Sequence, residues 1–308
     1  MQAFAPMLAV AADEPFDSSD YVFEVKWDGI RTLTWRDASG WRLWGREGAD
    51  YTSRYPELAV LAALPVGTAL DGEMVLCTQG VPDLPALLAR HAHARGSRFL
   101  AQPPVRYHVF DALYEGGRCL FGRPLLERRA LAQQHVAALA DERVAFSEGV
   151  IGSGRALFQQ AVAAGHEGVM AKHRASPYRP GCRCSFWKKI KPWRRLPAVI
   201  LGYVPGRYGV RRLLVAAVHQ DQFRFVAELR SGLTAALRRQ LATCLAGRTC
   251  LGPVVPCRRQ AVWVRPQLYC QVRYLGWTAH GTLRCASFAG LLTAADGVAL
   301  PAVPETSA

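Results

Sequence analysis

"YVFEVKWDGIRTL", residues 21–33, is the stretch on which the reading of this chain turns. Apolar and polar residues alternate through it, so Tyr21, Phe23, Val25 and Trp27 are expected on one face of a strand and Glu24, Lys26 and Asp28 on the other. The pattern predicts a strand over 21–35, with Lys26 projecting between two carboxylates and a glycine turn close behind. That lysine is a scarce residue here. Of 38 basic residues only five are lysine: Lys26, Lys172, Lys188, Lys189 and Lys191. Arginine stays protonated and cannot act as an amine nucleophile, so a lysine kept in an arginine-rich chain is a candidate for amine chemistry or for compact contact with phosphate.

Outward from this stretch, further strands are expected from "WRLWGR" (41–46), "TALDGEMVLC" (68–77), "VRYHVFDALY" (105–114), "HEGVMAKH" (166–173) and "SFWKKIKP" (185–192). Helical spacing of apolar residues predicts helices over "SRYPELAVLAAL", "LPALLARHAHAR", "LLERRALAQQHVAALA" and "GRALFQQAVAAG". The stretch "KPWRRLP" interrupts the pattern. A domain of residues 1–196 and a second of residues 197–308 are therefore expected. In the second, several short strands with glycine turns and one helix suit a small five-stranded barrel of the kind that binds oligonucleotides.

Composition narrows the class. Half of the 308 residues are hydrophobic, enough for a real core. No run of about eighteen apolar residues occurs, and "MQAFAPMLAV" lacks the charged start and apolar core of a signal peptide, so a cytoplasmic protein without a membrane partner is expected. The nine cysteines read as reduced thiols; Cys182 and Cys184 are the one close pair, a weak metal signal. The net charge of +14 points to a polyanionic partner. It is unevenly spread: residues from 197 onward carry 13 arginines against 4 acids, whereas residues 1–196 carry 25 basic and 20 acidic residues.

The charged ends of the expected strands form a set: Lys26-x-Asp28-Gly29-x-Arg31, Asp71-Gly72-Glu73, Phe110-Asp111, Glu167-Gly168 and Lys189-x-Lys191. Together they offer an amine, carboxylates for a divalent metal, cations for phosphates and a ring for a base. That is the inventory for handling a nucleoside triphosphate. A lysine amine, with a reference pKa of about 10.4, attacks phosphorus only after losing its proton, which neighbouring cations and a metal favour. The product of such an attack is a phosphoramide.

The sequence resembles the ATP-dependent DNA ligases of the covalent nucleotidyltransferase superfamily, and most closely the ligase domain of bacterial end-joining repair ligases. "EVKWDGIR", "SRYPEL", "LDGEMV", "YHVFDALY", "EGVMAKHRASPYRPG" and "FWKKIKP" match six family motifs in order. The resemblance implies an α+β fold: a nucleotidyltransferase (ATP-grasp-like) adenylation domain followed by an OB-fold barrel. It implies that Lys26 is the lysine adenylylated by ATP. By the same resemblance Arg31 and Glu73 hold the ribose side, Glu24 lies beside the adenine, Phe110 stacks on it, and Lys189 and Lys191 contact the α-phosphate. Glu73 and Glu167 are implied metal ligands for Mg²⁺ or Mn²⁺. Arg46 is implied in gripping the nucleotide phosphate and a nick 5′-phosphate. Arg207, Arg211 and Arg212 are expected to contact DNA from the barrel.

The implied substrate is nicked duplex DNA, the implied partners are end-joining repair proteins, and the implied location is the nucleoid. The implied reaction transfers AMP from ATP to lysine, then to the 5′-phosphate, and finally seals the strand. One departure stands out: where family members carry a Gly-Leu-Arg-x-Asp-Lys motif, this chain has Gly290, Leu291, Leu292, Thr293, Ala294 and Ala295. Two alternatives therefore stay open at this stage. One is a nicked-DNA-binding accessory protein with impaired catalysis, and the other is an RNA ligase or capping-type nucleotidyltransferase.

Overall fold

The backbone breaks at Lys26. In the computed structural model, strand β1 (Leu8–Ala12) is followed by β2 (Ser18–Val25) and β3 (Ile30–Asp37), so the single strand expected over 21–35 is two strands, and they enter different sheets. Residues 26–29 make the crossing. Gly29 permits it: a Cβ there would lie 2.1 Å from the Met74 carbonyl oxygen and 3.0 Å from Cγ of Glu73. Glu24, expected on a polar face, is buried as well. Phe23 packs on the apolar side with Ala161, Val169 and Ile190, while Glu24 on the other side is only 1% exposed.

The structure describes residues 4–93, 104–219, 222–257, 259–278 and 280–292. By its contacts the chain divides into Met1–Pro192 and Trp193–Ala308. Two-residue strands aside, the first unit continues with β4 (Gly40–Gly45), β5 (Thr68–Val75), α1 (Leu84–His93), β6 (Arg106–Glu115), α2 (Leu125–Leu139), β7 (Val144–Phe146), β8 (Gly149–Gly152), α3 (Gly154–Ala163), β9 (Val169–His173) and β10 (Arg183–Ile190). One sheet has the order β1-β10-β9-β2-β8, with β1 and β10 parallel. The other runs β7-β6-β5-β3-β4, with β7 and β6 parallel.

The expected helix over "SRYPELAVLAAL" is instead two 3₁₀ segments, Thr52–Arg54 and Pro56–Ala63. The reason lies in the spacing of what it buries. Tyr55, Leu58, Leu61 and Leu64 recur every third residue and are all buried, and a three-residue repeat suits the 3.0 residues per turn of a 3₁₀ helix. The end of the helix expected over "LPALLARHAHAR" lies outside the described residues.

The second unit holds β11 (Arg194–Gly206), β12 (Gly209–His219), β13 (Gln222–Leu229), α4 (Ala235–Ala246), β14 (Tyr269–Tyr274) and β15 (Ser287–Leu292). Their order is β13-β12-β11-β14-β15, antiparallel throughout, and Val262–Trp263 also pairs with β11. Helix α4 is capped by Thr234, whose hydroxyl accepts from the Leu237 N–H at 3.2 Å. Its Leu241 and Leu245 join Ile200, Leu213, Val226 and Phe288 in one core. Leu196 belongs to that core as well, and β11 begins before it, at Arg194. Of the altered motif, Leu292 ends β15, while Thr293, Ala294 and Ala295 lie outside the described residues.

Candidate active site

A pocket of about 780 Å³, its open mouth included, is lined by side chains from both sheets of the first unit. Lys26, Glu24, Arg31, Arg46, Glu73, Phe110 and Lys189 all line it, so seven residues singled out in the sequence converge. Glu167 and Lys191 join them through Lys26. One Glu167 carboxylate oxygen is ion-paired with the Lys26 amine and the other with Lys191. Burial alone would raise the Glu167 pKa, but the two lysines outweigh it and hold the carboxyl below its ordinary range. Burial, together with Lys191, Arg183 and Lys26, pushes the Lys189 amine down.

Backbone fixes this cluster. The Lys26 N–H donates to the Gly168 carbonyl at 2.9 Å. Gly168 itself has φ +132°, and a Cβ there would lie 2.1 Å from the Ile190 carbonyl oxygen, so only glycine lets the loop carrying Glu167 meet the strand carrying Lys189. Beside Lys26, the Trp27 indole stacks on His108 at 3.6 Å and donates from Nε1 to the Ser147 hydroxyl at 3.0 Å. Burial pushes His108 down to about 3, so this ring is neutral and places no charge behind Trp27.

On the second sheet, Arg31 donates from Nε and Nη2 to the two Asp71 oxygens at 2.5 and 2.6 Å. This fork outweighs the cost of burial and holds the guanidinium pKa above its ordinary value. The same guanidinium lies 4.6 Å from the centroid of the Phe110 ring. Glu73 faces the pocket, and burial pushes its carboxyl up to about 7 against the opposing pull of Arg31 and Lys26.

Two members of the site, Arg129 and Lys172, were given no role in it by the sequence. Glu24 is held by Arg129, which donates to its Oε1 at 2.6 Å, and by Lys172, which donates to its Oε2 at 2.9 Å. The Lys172 amine also sits 3.8 Å from the Phe110 ring centroid, and burial lowers its pKa to about 8. The scarcity of lysine was a signal for Lys172; Arg129, on α2, carried none. Lys188, by contrast, points at the Phe16 and Tyr21 rings, 5.0 Å from each.

Among the described residues no three of His, Cys, Asp and Glu converge as a metal cage. Glu73 and Glu167 are instead a pair of carboxylates beside cations. Such a pair fits Mg²⁺ or Mn²⁺ arriving with substrate phosphates, because Mg²⁺ is commonly held by one or two carboxylates plus phosphate oxygens. In the second unit Arg207 and Arg211 are exposed. Arg212, however, is ion-paired with Glu228, which also pairs with Arg230 at 3.3 Å. Among the described residues no helix is long and apolar enough to cross a membrane.

Comparison with known proteins is consistent along most of the chain. The family model described as ATP dependent DNA ligase domain matches residues 6–191, and that described as ATP dependent DNA ligase C terminal region matches residues 206–293. The multifunctional non-homologous end joining DNA repair protein LigD of Mycobacterium tuberculosis is 34% identical over 301 residues, covering 93% of this chain and 38% of that protein. The chain thus spans under two fifths of the length of this relative. The SPbeta prophage-derived DNA ligase-like protein LigB of Bacillus subtilis is 28% identical over 288 residues, covering 92% of this chain and 97% of that protein. Mycobacterial DNA ligase D, in a structure complexed with ATP and MES, superimposes with a TM-score of 0.55 at 33% identity, covering 94% of this chain and 95% of that one.

Proposed function

The chain belongs to the ATP-dependent DNA ligase family, and from that premise we propose that it seals nicked duplex DNA in bacterial end joining through an adenylylated Lys26. Its fold is that family's nucleotidyltransferase domain followed by an OB-fold domain. The observation that carries the proposal is the position of the Lys26 amine, in a pocket wall shared with Lys189, Glu73, Arg31 and Phe110. Arginine could not replace it as the nucleophile.

In this reading the Lys26 amine, having given up one proton to water, attacks the α-phosphorus of ATP; the N–P bond forms as the bond to the pyrophosphate oxygen breaks, pyrophosphate leaves, and the nitrogen releases a second proton to solvent. Lys189 and Lys191 supply charge at the α-phosphate. Arg31 and Glu73 hold the ribose side, and Phe110 supports the base. Glu73 and Glu167 would hold a divalent metal, which when bound neutralises charge on the phosphates. AMP then passes from Lys26 to a 5′-phosphate at a nick, and a 3′-hydroxyl displaces it to close the strand. Arg46, Arg207 and Arg211 are exposed cations suited to the DNA backbone. Arg212 is less available for this because Glu228 holds it. End-joining repair proteins are the proposed partners, and the nucleoid the proposed location.

The test is one gel. Purified protein given α-labelled ATP should carry the label on Lys26, pass it to a nicked duplex and yield a sealed strand, while Lys26→Arg should carry none. Label on Lys172 or Lys189 would overturn the assignment. Leu292, in place of a family arginine, supports a slow first step: losing one preorganised charge costs on the order of a hundredfold in rate. Sealing of a nick that already carries AMP should then run much faster than ligation from ATP. Binding of the nick without either reaction would favour the accessory-protein reading instead.

A further inference from the structure

Tyr178, in "SPYRPG", closes a ring of hydrogen bonds that ends on Arg31. Its hydroxyl donates to Asp71 Oδ2 at 2.7 Å and accepts from the Met7 N–H at 3.0 Å. Asp71 grips the Arg31 guanidinium through both oxygens, and Arg31 Nη2 returns to the Met7 carbonyl at 3.4 Å. Met7, Asp71 and Tyr178 are all buried. Burial, and behind it the Asp71 charge, hold the phenol far above its ordinary pKa, so it remains a donor.

The ring also joins distant parts of the chain. Gly181 N–H donates to the Ala5 carbonyl at 2.7 Å and Leu8 N–H to the Cys182 carbonyl at 2.9 Å, clipping the N-terminal segment to the loop that carries Tyr178. The Tyr178 ring itself stacks on Phe121, with centroids 5.5 Å apart, and meets Trp187 edge-on at 5.8 Å. Its hydroxyl position is therefore set by packing. A buried carboxylate with one fixed phenol donor has a fixed plane, and a guanidinium forked onto that plane has a fixed direction.

We propose that Tyr178 is a positioning residue that, through Asp71 and the Met7 backbone, aims the Arg31 guanidinium at the ribose of the bound nucleotide. The aim at the ribose rests on the role of Arg31 proposed above; the coupling of Tyr178 to Arg31 does not.

Tyr178→Phe in the full chain removes the hydroxyl and keeps the ring packing, with circular dichroism as the check on folding. Single-turnover labelling of Lys26 is measured against ATP and against 3′-deoxy-ATP. The half-saturating ATP concentration should rise about tenfold, the loss expected when a charged group loses one hydrogen bond. The maximal rate should change less than about twofold, and the preference for ATP over 3′-deoxy-ATP should shrink. In an Arg31→Gln background, Tyr178→Phe should add nothing further. A full tenfold effect in that background, or a fall in maximal rate at unchanged half-saturation, would overturn the proposal. If the two substitutions are non-additive but Arg31→Gln leaves the sugar preference intact, the coupling stands and the ribose assignment of Arg31 fails.

Discussion

Replacing Glu73 by Gln should make this protein more stable at pH 8 while impairing its reaction. The carboxyl titrates at about 7 in the folded chain against 4.5 for an ordinary glutamate, because burial outweighs the attraction of Arg31 and Lys26. Below pH 4.5 the group is protonated in both folded and unfolded chains and contributes nothing. Between 4.5 and about 7 the folded chain keeps a proton that the unfolded chain has lost, so stability falls as pH rises. Above 7 both are ionised and the full cost remains. At about 1.36 kcal/mol per pH unit, that cost is roughly 3 kcal/mol, reduced to roughly 2 to 3 by the part of the side chain that faces the pocket.

Gln at position 73 mimics the protonated form, so it should recover that amount at pH 8 and almost none at pH 4. Thermal unfolding across this range supplies the measurement, with the transition that ATP raises in the unsubstituted protein marking the first unit. Lys26 labelling should meanwhile drop. A Gln variant that is less stable at pH 8, or whose stability difference does not vary with pH, would refute the argument that Glu73 is a buried charge retained at a cost.

Three further outcomes are expected. Glu24→Gln leaves the Arg129 and Lys172 cations buried without their carboxylate and should destabilise the chain by about 3 to 5 kcal/mol, part of which Lys172→Met should restore; urea titration measures both, and a loss under about 1 kcal/mol would contradict the triad's importance. Gly168→Ala forces a Cβ toward the Ile190 carbonyl and disturbs the bond from the Lys26 N–H, so self-adenylylation should fall on the order of a hundredfold with the nucleophile still in place. The pair Arg207→Glu and Arg211→Glu should weaken binding to nicked duplex and lower the slope of log affinity against log salt by about 2, since each phosphate contact contributes about 0.9; an unchanged slope would remove these two arginines from the DNA contact.

Short-range pattern made much of this molecule legible. Strands such as "YHVFDALY" announce themselves because side chains alternate across a pleat, and the glycines beside Lys26 and Glu167 sit where backbone meets backbone too closely for a Cβ. Motif order alone therefore brought Lys26, Arg31, Glu73, Phe110 and Lys189 to one pocket. The break of the first strand at Lys26 was not legible, because alternation continues through it and only the pairing of β2 and β3 with different sheets ends it. Glu24 reads locally as a solvent-facing residue of a strand. Its burial depends on cations 105 and 148 residues away along the chain, Arg129 and Lys172, and on the energy of satisfying a charge that has left water. The ring through Tyr178, Asp71, Arg31 and Met7 is of the same kind. Alternation and close backbone contact leave marks within a few residues, whereas the satisfaction of buried charge is decided by whichever groups the tertiary fold delivers, and so only the fold could show it.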